Sequence, residues 1–160
     1  MKVLYLASNP EDSNSLSLER EITELQGRFS NVSGEPVIFT FLPDIKIEEF
    51  QSALSRYKPD ILHISAHADL EHLSLKNEIG RMVELSAESL KHFIDIDSIP
   101  KIVYLNACNS APIAKELSKF VPISIGTSSP ITNRAARAGA LSFYTKILEG
   151  KTVQSAYESS

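Results

Sequence analysis

The sequence predicts an α/β domain with a mostly parallel central sheet, helices on both faces and an inserted β-hairpin. Three observations lead there. Short runs rich in β-branched and aromatic residues alternate with segments whose apolar residues recur at helical spacing, the pattern of βαβ units. One stretch, residues 71–85, breaks that alternation with strand-like periodicity on both sides of a turn. The 160 residues suffice for a single domain over 1–160 that buries roughly two-thirds of its unfolded surface, and no linker or repeat divides them.

Taken in order, residues 2–7 (KVLYLA) read as the first strand and residues 9–13 as a polar loop. Leu16, Leu18, Ile22, Leu25 and Phe29 then mark a helix over about 17–29. Residues 36–41 (PVIFTF) form the second strand, and Ile47, Phe50, Leu54 and Tyr57 are the inward stripe of the second helix. That helix stops at Lys58, because the ring of Pro59 disfavours helical geometry in the residue before it. Residues 60–66 (DILHISA) are the third strand. In the hairpin, Leu73 and Leu75 alternate with polar residues, 77–80 turn, and Met82, Val83 and Leu85 return. Ser86 caps a helix running to about Phe93. Residues 101–106 (KIVYLN) are the fourth strand, followed by a helix through Ile113, Leu117 and Phe120. Residues 122–126 (PISIG) are the fifth, and the polar loop 127–133 leads into a long helix near 135–148. Gly150 ends it, and Thr152 starts a last short helix.

Composition excludes several functions. The net charge of -4 and the scattering of the basic residues argue against a nucleic-acid partner. A single cysteine cannot form an internal disulfide, and neither a signal peptide nor an apolar run near membrane length is present. These features predict a cytoplasmic chain with no membrane contact. One Cys and four scattered His, without HExxH or CxxC, predict no metal site. No cofactor is expected either: the loop at 8–15 lacks glycine, and neither GxGxxG nor GxxxxGK[ST] occurs, which sets a nucleotide-binding reading aside.

Ligands of an open parallel sheet sit at the carboxyl ends of its strands. Two chemically capable residues fall there: His67 directly after the third strand, and Cys108 two residues after the fourth. Each alone is more often a packed or solvated side chain. If the two strands are neighbours, thiol and imidazole share one crevice and have the equipment for acyl transfer. The helix after Cys108 would place a partial positive charge near its sulfur, favouring thiolate. Backbone N–H groups of Ala68 and Cys108 are candidate oxyanion donors. His63 shares a sheet face with His67 and reads as a core or supporting imidazole, while His72 and His92 read as surface residues.

These segments resemble the CHAT branch of the caspase-like cysteine proteases. DILHISAH (60–67) is similar to the family's histidine motif and VYLNACNS (103–110) to its cysteine motif. VLYLASNP with LSLEREITEL looks like its first strand and helix, and the segment from SIGTSSP to the end looks like its closing elements, so the resemblance spans nearly the whole chain. It implies a caspase-like three-layer sandwich and a cysteine endopeptidase with His67 as base and Cys108 as nucleophile. It also implies a protein substrate, a role in bacterial signalling or defence, and regulation by a separate chain. Asn106 would line the first specificity pocket, and Arg134 or Arg137 could receive an acidic substrate side chain; as solvated helix positions, the arginines would leave preference open. Ala66 and Ala68 replace glycines of the family motif, so a Cβ at Ala68 is expected to narrow the cleft or to forbid a positive φ. The chain also ends at Ser160, barely into the last helix. Both departures keep open an inactive or partner-activated enzyme, and with it the alternative of a catalytically inactive caspase-like interaction module.

Overall fold

The computed structural model describes residues 1–11, 18–29, 37–94, 98–158 and 160. Three strands form the heart of the molecule: β1 (Lys2–Ala7), β3 (Ile61–Ser65) and β7 (Ile102–Asn106), buried at every residue after Lys2. Continuous apolar runs of this kind are what parallel strands covered on both faces require. They pair side by side and parallel, with β2 (Ile38–Leu42) outside β1 and β8 (Ile123–Ile125) outside β7, giving the order β2-β1-β3-β7-β8.

Side-chain alternation splits the core in two. Leu4, Leu6, Leu62, Ile64, Val103 and Leu105 face α2 (Ile47–Tyr57), α3 (Ala87–Phe93) and α4 (Ala111–Leu117). Val3, Tyr5, Ile61, Ile102 and Tyr104 face α1 (Leu18–Phe29), α5 (Asn133–Leu148) and α6 (Val153–Glu158). The result is the predicted three-layer sandwich. Each fully buried aliphatic side chain in these layers contributes roughly 1.5–3 kcal/mol of transfer free energy.

Local chemistry sets the helix ends. At the start of α2 the Glu49 carboxylate accepts the Lys46 N–H at 3.1 Å, satisfying a donor the helix leaves open. Its other end differs in mechanism from the expectation at Pro59. Lys58 adopts a left-handed conformation (φ 44°) and its N–H closes on the Leu54 carbonyl at 2.9 Å, so a left-handed cap terminates the helix. At α3, the Ser86 Oγ accepts the Ser89 N–H, as predicted.

The inserted hairpin is β5 (His72–Lys76) and β6 (Met82–Ser86), joined by a turn in which Asn77 Oδ1 accepts the Ile79 and Arg81 N–H groups. Its buried Leu73, Leu75 and Leu85 join the core under α2, α3 and α4. A short third strand, β4 (His67–Ala68), pairs antiparallel with β5, so His67 lies on a strand and not in a loop. The Asp12 and Ser13 part of the first polar loop, the start of α1 at Ser17 and the start of β2 at Pro36 lie outside the described residues. Among the described residues no helix is long and apolar enough to cross a membrane.

Candidate active site

Strand register sets the two strands that precede the candidate residues side by side. In the β3–β7 pair, Ser65 stands opposite Asn106, and neighbouring strands run about 4.8 Å apart. His67 and Cys108 each follow that pair by two residues. His67 stands on β4, and Cys108 lies in the turn that follows β7. Both are half-buried, so neither is sealed in the interior.

The hairpin orients the histidine side. The Asp69 N–H donates to the His72 carbonyl at 3.0 Å, so the Asp69–His72 and His67–Ser74 pairs carry the ladder. By the alternation of antiparallel pairing, the N–H of Ala68 turns away from β5. The methyl of Ala66 is buried and that of Ala68 packs against the same core, under α2, α3 and α4. Neither residue has a positive φ. The expected narrowing of the cleft by Ala68 is therefore not found: alternation sends both methyls to the opposite face of the sheet.

The cysteine side is laced to the loop that follows β8. The Ile131 N–H donates to Cys108 Sγ at 3.4 Å, and the Sγ lies 3.5 Å from the Ile131 carbonyl. Asn109 is left-handed (φ 52°), which its side chain tolerates, and its N–H reaches the Ser129 carbonyl at 3.3 Å. The buried Ser110 donates its hydroxyl to the Ala107 carbonyl at 2.7 Å and accepts the Thr127 N–H at 3.1 Å. Thr127 Oγ1 donates to the same Ala107 carbonyl at 2.5 Å. Helix α4 begins three residues after Cys108, at Ala111.

Gly126 makes this lacing possible. A Cβ there would stand 2.7 Å from the Ser110 carbonyl oxygen and 3.0 Å from the Ala111 nitrogen, both backbone atoms with no freedom to swing aside. Gly126→Ala is expected to destabilise the fold by about 1–3 kcal/mol through overpacking. Urea unfolding measures this, and an unchanged midpoint would show that the two segments separate at no cost.

A cleft of about 780 Å³ is lined in part by Tyr104, Asn106, Ser128, Ser129 and Ile131. Asn106 is 6% exposed, and its Nδ2 donates to Glu21 Oε1 at 2.8 Å. Arg134 is exposed in the first turn of α5, while Arg137 Nε bonds Glu24 Oε2 at 3.1 Å. Behind Asn106 lies a polar cluster that the sequence reading missed. Glu21, 5% exposed, stands with its Oε1 3.5 Å from His63 Nε2, and the fully buried His63 bonds the Tyr144 hydroxyl through Nδ1 at 3.0 Å. The His63 ring stacks between Tyr5 and Tyr104 at centroid distances of 4.5 and 4.9 Å. Burial first, and the Glu21 charge next, push the Tyr5 and Tyr104 phenols well above their ordinary value; burial, then Tyr104 and Glu21, do the same for Tyr144. One signal could have found Glu21: it sits three residues after Leu18 and four before Leu25, on the apolar stripe of its helix.

Ser8, in the loop considered for nucleotide binding, uses its hydroxyl internally: it donates to the Ile45 carbonyl at 3.2 Å and accepts the Lys76 N–H at 2.8 Å. Among the described residues no group of three or more His, Cys, Asp or Glu side chains is placed to hold a metal ion.

Known proteins resemble this chain in sequence and in fold. A protein described as a probable protease from Gillisia limnaea is 30% identical over 160 residues, covering 92% of this chain and 27% of that protein. A Roc-COR-CHAT protease from an unknown prokaryotic organism is 25% identical over 175 residues, covering 99% of this chain and 16% of that protein. The chain thus spans little more than a quarter, or less, of the length of these relatives. In fold it is similar to a secreted C11 cysteine protease from Bacteroides thetaiotaomicron, solved with an irreversible peptide inhibitor, with a TM-score of 0.68 at 11% identity over 98% of this chain and 56% of that one. The sequence profile of the CHAT domain matches residues 5–158, and with its caspase-like sandwich the chain belongs to the CHAT domain family.

Proposed function

We propose that this domain is a cysteine endopeptidase in which Cys108 is the nucleophile and His67 the proton carrier. The observation that carries the reading is the β3–β7 register, which sets both residues two positions beyond the facing pair Ser65 and Asn106. The names of the two relatives support a protease. In the reaction, the thiolate of Cys108 attacks the scissile carbonyl carbon and a C–S bond forms. The oxyanion is received by the N–H groups of Cys108 and Ala68. The C–N bond then breaks as the imidazolium of His67 gives its proton to the leaving amine. Water, deprotonated by the neutral imidazole, hydrolyses the thioester and restores the thiol. Asn106 lines the substrate cleft, and Arg134, exposed in the first turn of α5, is a second substrate-binding candidate.

The substrate is a protein, and a separate chain controls access, in keeping with the multidomain name of one relative. A bacterial signalling or defence role in the cytoplasm suits an enzyme whose lone thiol must stay reduced. One observation favours a second reading, an inactive interaction module: the contacts of the Cys108 sulfur with both the N–H and the carbonyl of Ile131. An irreversible thiol-directed peptide probe separates the two. Labelling of Cys108 that is lost in His67→Ala is the expected result for the endopeptidase. Absent labelling, or labelling indifferent to His67, favours the module.

A further inference from the structure

We propose that the subsite receiving the substrate side chain just before the scissile bond is acidic, and that Glu21 selects a lysine or arginine there. This names the substrate class of the endopeptidase reading and rests on it.

The argument starts from position. Asn106 precedes Cys108 by two residues and lines the cleft together with Ile131, whose backbone touches the sulfur. A substrate side chain entering beside the thiol therefore meets Asn106. The amide nitrogen of Asn106 is committed to Glu21 at 2.8 Å, which leaves its Oδ1 as an acceptor and places a carboxylate directly behind it. Both groups suit a cation and neither suits an anion.

Charge balance points the same way. A buried carboxylate is ordinarily matched by a cation, because an unpaired charge in a low-dielectric interior is costly. Among the described residues no lysine or arginine pairs with Glu21. Its neighbours are the neutral amide of Asn106 and the imidazole of His63, whose Nε2 stands 3.5 Å from Oε1 and pairs with the carboxylate only when protonated. The Tyr5 hydroxyl, buried beside Ser65 and Glu21, is a neutral neighbour and supplies no charge. The adjacent guanidinium of Arg137 is engaged by Glu24, and Arg134 is turned to solvent. A lysine or arginine of the substrate would supply a permanent cation through a charge-assisted bond.

The test compares peptide acyloxymethyl ketones identical except for the final residue, lysine, leucine or glutamate. Rates of adduct formation at Cys108 are followed by mass spectrometry on the 160-residue chain. The lysine probe is expected to react about tenfold or more faster than leucine, with glutamate slowest. In Glu21→Gln, which keeps the acceptor for Asn106, the lysine-to-leucine ratio is expected to fall about tenfold. A wild-type ranking with leucine or glutamate first overturns the acidic subsite and leaves the endopeptidase standing. Labelling by none of the probes overturns both. A Glu21→Gln variant that slows all probes equally assigns Glu21 a structural role and overturns the proposal. Should that variant fail to fold, the wild-type ranking decides alone.

Discussion

Cys108→Ala is expected to abolish peptide-bond cleavage, lowering turnover by roughly ten-thousand-fold or more, with His67→Ala close behind. The two losses should not add, because thiol and imidazole act as one unit: without the base there is little nucleophile, and without the nucleophile the base has no acyl intermediate to resolve. Both side chains are half-buried at strand ends, outside the fully buried apolar layers. Replacement should therefore leave the urea midpoint almost unmoved while activity disappears. Turnover of a fluorogenic peptide amide and of any identified protein partner checks this. Undiminished cleavage by Cys108→Ala would move the activity to another residue or another protein.

Alkaline pH should unfold the molecule steeply. Tyr5, Tyr104 and Tyr144 are held above the ordinary phenol value of 10.0 by burial and by neighbouring charge. Near and above that value the unfolded chain releases three protons that the folded chain keeps. Stability is therefore fully present below about pH 10 and falls as pH rises, by roughly 1.4 kcal/mol per tyrosine at pH 11, or about 4 kcal/mol for the three. That is a large share of the stability of an ordinary domain. Urea unfolding followed across this range, with phenolate absorbance, measures the slope. Tyr5→Phe is the informative variant. Removing its hydroxyl should reduce the alkaline slope by about a third. Parallel pH curves for wild type and Tyr5→Phe would show that these phenols titrate freely in the folded state.

The polar cluster behind both this prediction and the proposed subsite shows where sequence reading ends. Glu21 belongs to a helix whose periodicity is plain, yet a glutamate near a helix start reads equally well as a solvated, dipole-stabilising residue. Only the docking of α1 beside β7 turns it inward to Asn106 and His63. Tyr144 bonds a histidine 81 positions away, a distance over which local patterning carries no information. The left-handed cap at Lys58 was hidden for a different reason. The Pro59 rule identified a stop, but several backbone conformations can make one.

What the sequence determined by itself was the alternation of strands and helices, the position of the hairpin and the placement of His67 and Cys108 just past two strands, because hydrophobic periodicity and turn chemistry are local. Tertiary structure alone decided that β3 and β7 are neighbours in the Ser65–Asn106 register, that the Cys108 loop is laced to the loop after Gly126, and that a carboxylate lies behind the cleft. Strand order and helix docking arise from burying two apolar faces at once, a condition on the whole chain that no single segment states.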